Sequence, residues 1–281
     1  MNKEKKKPTL YFKVYENKDS DKWVVFIHGA GGSSTVWFKQ LRAFRREFNV
    51  LLLDLRGHGK SKNVFQRWKD NEYTFKDISE DIIEVMDYID LKSAHFVGIS
   101  LGTIIIRNIA ELYPDRVESM ILGGAVIRFN IRSKFLVAVG NMVKRFIPYM
   151  WIYKLYAWII MPKKRHKESR LIFVREAKKL YQKEFLRWLR LTYEVNPLMK
   201  FFREKETKIP TLYLMGDEDY MFLPGVKAVV KKHKNSVLRI IRESGHVCNI
   251  EQPTVFNKLS IEFIKNPFEF YNVKEEIVES A

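Results

Sequence analysis

The 281-residue sequence contains one cysteine, Cys248, which excludes an intrachain disulfide framework and fits a reducing compartment. The opening stretch, Met1 to Pro8, is lysine-rich and has no apolar run of the kind that makes a secretory leader, so the expected location is the cytoplasm. The longest apolar stretch, Phe146 to Met161, runs for 16 residues with interruptions at Pro148 and Lys154. That is short of the roughly 20 needed to cross a bilayer and suits a lid helix or an interfacial one. There is no phosphate-binding loop and no dinucleotide fingerprint. Nor is there a recognisable metal-ligand spacing: His28, Asp54 and His58 could converge, but no further residue completes a set.

Acid is missing from one region in particular. Residues 128 to 208 hold no Asp and 6 Glu against 21 Lys and Arg, a balance of +15 out of the chain's formal +17. The basicity therefore belongs to one module set into a near-neutral domain. Nucleic acid is not an expected partner, because no recognition module accompanies that charge.

What is present is a regular alternation. Buried-strand runs at Trp23 to Ile27, Val50 to Asp54, Ala94 to Ile99, Val117 to Leu122, Thr211 to Met215 and Val237 to Ile241 are separated by amphipathic stretches such as 35 to 48 and 74 to 90. Thr9 to Tyr15 alternates like an edge strand, and Pro253 opens a last amphipathic helix. This order predicts a mostly parallel, doubly wound sheet with its ligand site beyond the strands' carboxyl ends. Between Ile127 and Lys208 the β pattern stops, and the sequence turns helical, basic and aromatic. The expected division is a core formed by 1–126 and 209–281, with 127–208 as a helical insertion. Lys163 to Lys167 reads as an exposed turn within it, and the acidic tail after Pro267 as loosely held.

The core is organised around Gly98-Ile99-Ser100-Leu101-Gly102, where a strand meets a helix. A sharp turn between glycines lifts the Ser100 hydroxyl out of the sheet edge beside a helix N-terminus, which suits a nucleophile. Such a serine needs a histidine to take its proton and a carboxylate to orient that histidine. Of the six histidines, His28 and His58 lie in loops at the right edge, His95 opens a strand, His166 lies in the basic insertion and His233 in a lysine-rich stretch. His246 alone sits in a glycine-flanked loop after the last strand of the series, and it is the expected base. The loop after Leu122 offers no carboxylate, whereas the loop after Met215 offers Asp217, Glu218 and Asp219. Cys248 reads as a small buried residue, not a second nucleophile.

These stretches, with His28-Gly29-Ala30-Gly31-Gly32, Asp54-Leu55-Arg56-Gly57-His58-Gly59-Lys60-Ser61, Tyr113-Pro114-Asp115-Arg116-Val117, Gly216-x-x-Asp219 and Gly245-His246, together resemble the α/β-hydrolase fold family from about residue 8 to 266. The resemblance implies an eight-stranded sheet with a helical cap inserted after strand 6. It also implies Ser100 as nucleophile, His246 as general base and acid, and Asp219 as the orienting carboxylate. Asp219 is chosen over Asp217 because it fills the Gly-x-x-Asp position. By the same resemblance the backbone N–H groups of Ala30 and Leu101 form an oxyanion hole. Serine at position 100 speaks against the relatives that attack through a carboxylate. Cofactor-free cleavage of a carboxylic ester with a small to medium apolar acyl or aryl group is the implied activity. A lactonase, thioesterase, lipase or C–C bond hydrolase would use the same triad, and a hydrolase-fold signalling or binding protein is the rival of another class. The aromatic insertion suggests an apolar pocket and its charge a peripheral contact with an anionic membrane surface, the alternative being that the aromatics are the insertion's own core and the charges its solvated side. Oligomeric state is not legible.

Overall fold

Strands of Val, Ile, Leu and Phe flanked by helices on both faces become buried along their whole length, and that is how most of this sheet forms. The computed structural model describes residues 7–61, 73–128, 142 and 148–280. Its eight strands are β1 Phe12–Tyr15, β2 Trp23–Ile27, β3 Asn49–Leu53, β4 Ala94–Ile99, β5 Val117–Gly123, β6 Thr211–Gly216, β7 Ser236–Ile241 and β8 Glu275–Val278. They lie in the order β1-β3-β2-β4-β5-β6-β7-β8. β1 is antiparallel to β3, and every other neighbouring pair is parallel. Ile27 pairs with Gly98 and Ile99 with Gly123, so β2, β4 and β5 end together at one edge.

The helices are α1 Phe38–Phe44, α2 Phe75–Tyr88, α3 Leu101–Leu112, α4 Tyr149–Ile160, α5 Lys167–Ala177, α6 Gln182–Arg190, α7 Thr192–Glu204, α8 Leu223–Val230, α9 Cys248–Glu251 and α10 Pro253–Lys265. One face of the sheet is covered by α1 and α10 through Phe44, Phe256 and Phe263; the other by α2, α3 and α8 through Ile82, Ile105 and Val226. Thr74 starts α2 with a capping box, its hydroxyl accepting from the Asp77 amide while the Asp77 carboxylate accepts from the Thr74 amide. Not all of the acids on α2 are solvated: Asp81 is buried against Arg56 at 2.6 Å.

Three expectations change. The inserted helices α4 to α7 follow the fifth strand, not a sixth, because the eighth strand is the C-terminal one. The tail is therefore not loose: β8 pairs with β7, and its acids find cations in Arg239 to Glu276 at 2.9 Å and Lys227 to Glu275 at 2.7 Å. His166, expected in an exposed turn, is fully buried and lies 2.8 Å from Glu218. None of the helices among the described residues is long and apolar enough to cross a membrane.

Candidate active site

β4 and α3 pack so closely that the turn between them has no room for side chains at its flanks. A Cβ on Gly102 would lie 2.4 Å from the Ile27 carbonyl oxygen, and one on Gly98 2.5 Å from Ile106 Cδ1. Between them Ser100 takes φ 54°, ψ −121°, a conformation that favours glycine. Gly102→Ala must push α3 away from the end of β2, since the obstacle is backbone. We expect a loss of about 2 kcal/mol or more, read as a fall of several degrees in the thermal midpoint.

His246 lies in the loop after β7 and is itself nearly buried, with the Phe222 ring centred 5.0 Å from the imidazole. Its Nδ1 is 2.8 Å from Asp219 Oδ2 and its Nε2 is 2.9 Å from Ser100 Oγ. The carboxylate accepts only from N–H, which fixes the proton on Nδ1 and leaves Nε2 to accept from the Ser100 hydroxyl. Asp219 also accepts from the Phe222 amide at 3.2 Å. The other two acids of that loop turn elsewhere: Asp217 accepts from the Ser244 amide at 3.3 Å, and Glu218 meets His166 and Lys163. Residues 100, 219 and 246 are thus brought together, and 217 and 218 are not.

The loop after β2 carries the other groups. His58 Nε2 accepts from the Gly31 amide at 3.0 Å, and its Nδ1 donates to the Arg56 carbonyl at 3.0 Å. Burial, with His28 adding to it, lowers the His58 pKa to about 3, so the ring stays a neutral acceptor through the physiological range. His28 likewise accepts from the Leu55 amide at 3.0 Å and is held neutral by burial. Neither ring is a base for Ser100; both tie loop amides down. The Ser100 amide donates to the Gly123 carbonyl and the Gly32 amide to Gly29. No protein acceptor among the described residues takes the amide hydrogens of Ala30 and Leu101, two residues that line the same cavity as Ser100. Cys248 is buried, its thiol near the Leu214 carbonyl and pushed up by burial, so it is inert. Among the described residues no cluster of His, Cys, Asp and Glu is arranged to hold a metal ion.

Ser100 opens on a cavity of about 260 Å³ walled by Tyr153, Tyr156, Phe173, Trp188 and Phe222, with few polar groups. One wall residue is charged. Glu176 of α5, 3% exposed, accepts from Ser33 Oγ at 2.8 Å and pairs with Lys179 at 2.7 Å. Ser33 directly follows the Gly29 to Gly32 loop, so this bond links the insertion to the loop that carries Ala30. Sequence offers no signal for it across 143 positions. At the other end of α5, His166 and Lys163 hold Glu218. Burial pushes both carboxyls up, but their hydrogen bonds and cations outweigh it and hold them below the ordinary 4.5. A depressed folded pKa stabilises the protein above pH 4.5 and loses that contribution as pH falls through the folded value. The thermal midpoint should therefore drop on acidification below about pH 4.5, and Glu176→Gln should flatten that drop.

Against known proteins, the model of the alpha/beta hydrolase fold matches residues 22–170. A putative carbamate hydrolase of Acinetobacter baylyi is 23% identical over 275 residues, covering 91% of this chain and 98% of that protein. The pimeloyl-[acyl-carrier protein] methyl ester esterase of Wigglesworthia glossinidia brevipalpis is 26% identical over 265 residues, covering 86% and 93%. The dihydrolipoyllysine-residue acetyltransferase component of the acetoin cleaving system of Pseudomonas putida is 26% identical over 244 residues, but this chain spans only 63% of its length. A solved hydrolase from Oleispira antarctica superposes with a TM-score of 0.79 at 17% identity, over 91% of this chain and 94% of that one. With the strand order, the strained serine and these matches in agreement, the chain belongs to the alpha/beta hydrolase fold family.

Proposed function

We propose that this hydrolase cleaves a carboxylic ester with an apolar acyl or aryl group of medium size, through an acyl-enzyme on Ser100. The single observation that carries the reading is the unbroken chain Asp219, His246, Ser100 opening on an almost wholly apolar cavity. His246 Nε2 takes the proton as Ser100 Oγ attacks the carbonyl carbon, and Asp219 stabilises the imidazolium that results. The carbonyl oxygen, now negative, receives the amides of Ala30 and Leu101, donors worth about a hundred- to a thousandfold in rate each. As the carbon–oxygen bond to the alcohol breaks, His246 returns the proton to the leaving oxygen. Water then repeats the sequence on the acyl-enzyme and restores Ser100.

The relatives' names divide between carbamates and methyl esters, and the walls of the cavity favour the ester. Few wall groups could accept from a carbamate N–H, and one left without a partner would cost about 1–3 kcal/mol. The aromatic and aliphatic walls of the cavity suit an acyl or aryl group without polar substituents. A panel of nitrophenyl esters, with matched carbamates and lactones, tests this directly. Turnover should be highest on esters with a medium-sized apolar acyl or aryl group and fall for acyl groups that carry a charge. Faster cleavage of a carbamate or lactone than of every ester would replace the substrate assignment.

A further inference from the structure

Apart from Lys154, helix α4 is apolar all round, although only one of its sides is inside the protein. Ile152, Tyr153 and Ala157 are buried, and Tyr153 and Tyr156 line the cavity. The opposite face carries Trp151 at 66% exposure, Leu155 at 49% and Trp158 at 61%, at helical spacing, with Lys154 between them. Leu171 of α5, 61% exposed, belongs to a helix packed against α4 and adds a further bare apolar side chain. A face of this composition has no reason to meet water.

Its surroundings are cationic. The Lys154 ammonium lies 5.4 Å over the Trp151 ring and the Arg170 guanidinium 5.0 Å over Trp158. The turn after α4 adds Lys164, and α5 opens on Lys167, both exposed. Lys163 and Arg165 are engaged by Glu218 and Glu243, but Lys154, Lys164 and Lys167 have no carboxylate partner among the described residues. Behind them stands the +15 balance of residues 128 to 208.

From this combination we propose that the outer face of α4 seats the protein on an anionic lipid bilayer, the helix lying in the plane of the interface. Tryptophan suits that position because its ring is apolar and its N–H is polar. At 12 residues α4 is about 18 Å long, which fits an in-plane helix and not a span. A second copy of the chain would bring the same positive segment to the contact, so charge disfavours self-association through this face and favours lipid phosphate. Because the inner side of the same helix walls the cavity, docking places the site about one helix diameter, ~10 Å, from the headgroups. The docking stands whether or not the substrate is an ester.

The test is co-sedimentation of the full chain with mixed phosphatidylglycerol–phosphatidylcholine vesicles and with pure phosphatidylcholine vesicles, each at low and high salt. The wild type should pellet with the anionic vesicles, lose most of that binding at high salt, and stay in solution with phosphatidylcholine. Trp151→Ser with Trp158→Ser should lower the partition coefficient by about tenfold or more. So should the charge reversals Lys154→Glu, Lys164→Glu and Lys167→Glu together, at about tenfold or more. Both variants should keep the wild-type circular dichroism melt, which shows that the fold is intact. Vesicle binding that survives loss of both tryptophans, or that ignores anionic lipid, overturns the proposal. So does absence of binding by the wild type, which would leave an acidic protein as the occupant of this face.

Discussion

Ser100→Ala is expected to lower kcat on nitrophenyl esters by about 10⁴-fold or more while leaving the thermal midpoint unchanged or slightly raised. In the proposed mechanism the hydroxyl forms the covalent bond, and no other described nucleophile is placed to replace it, since the Cys248 thiol is buried and aimed at the Leu214 carbonyl. Alanine keeps the Cβ and hence the strained turn at φ 54°, so the fold loses only the bond to His246. Ser100→Gly separates the two roles of the position. It should be as inactive as the alanine variant but more stable, by up to about 1 kcal/mol, because glycine adopts this conformation without strain. Stopped assays with burst-phase analysis read the first effect and calorimetry the second. An alanine variant that retains most of its activity would remove Ser100 from the mechanism.

The second large effect is structural. Glu184 of α6 is fully buried and accepts from the Tyr73 hydroxyl at 2.5 Å and from Arg187 at 2.8 Å. It reaches them only because position 57 is glycine: a Cβ there would sit 2.0 Å from Glu184 Oε2. The same helix donates the Trp188 indole N–H to the Arg56 carbonyl at 3.2 Å. Glu184→Ala removes the buried acceptor that the Tyr73 hydroxyl and the Arg187 guanidinium share and should cost about 3–5 kcal/mol, a fall of about 10 °C in the melt. Replacing both partners, Glu184→Leu with Arg187→Met, should recover much of that loss, because both charges of the pair are then exchanged for apolar groups of similar volume. If the double variant is as unstable as the single one, the pair is not what joins α6 to the core.

The candidate site was legible in the sequence to the extent that local geometry dictates residue type. Gly98 and Gly102 announce Ser100 because no other residue fits where strand and helix touch. His246 stands out by its glycine neighbour and its place after the last strand of the series. Asp219 was a different matter. Three acids lie side by side, and one peptide step alters direction enough that Asp217 meets Ser244, Glu218 meets His166 and only Asp219 meets His246. Resemblance to a family pattern selected it; spacing did not. His166 and Glu176 gave no signal, since each acts on a partner more than fifty residues away. The acidic tail misled for the same reason. Its glutamates look like a solvated run until Lys227, Arg239 and Arg242 are set beside them.

By itself, then, the order of residues determined the alternation of strands and helices, the turn that holds the serine, and the segment that carries the charge. All three depend on neighbours within one or two turns of chain. Which carboxylate serves the imidazole, which side of α4 faces outward, and how the insertion grips the two loops beside Ser100 were decided only in three dimensions. Those contacts join residues far apart along the chain, and a bond between distant side chains exists only once packing has fixed their separation.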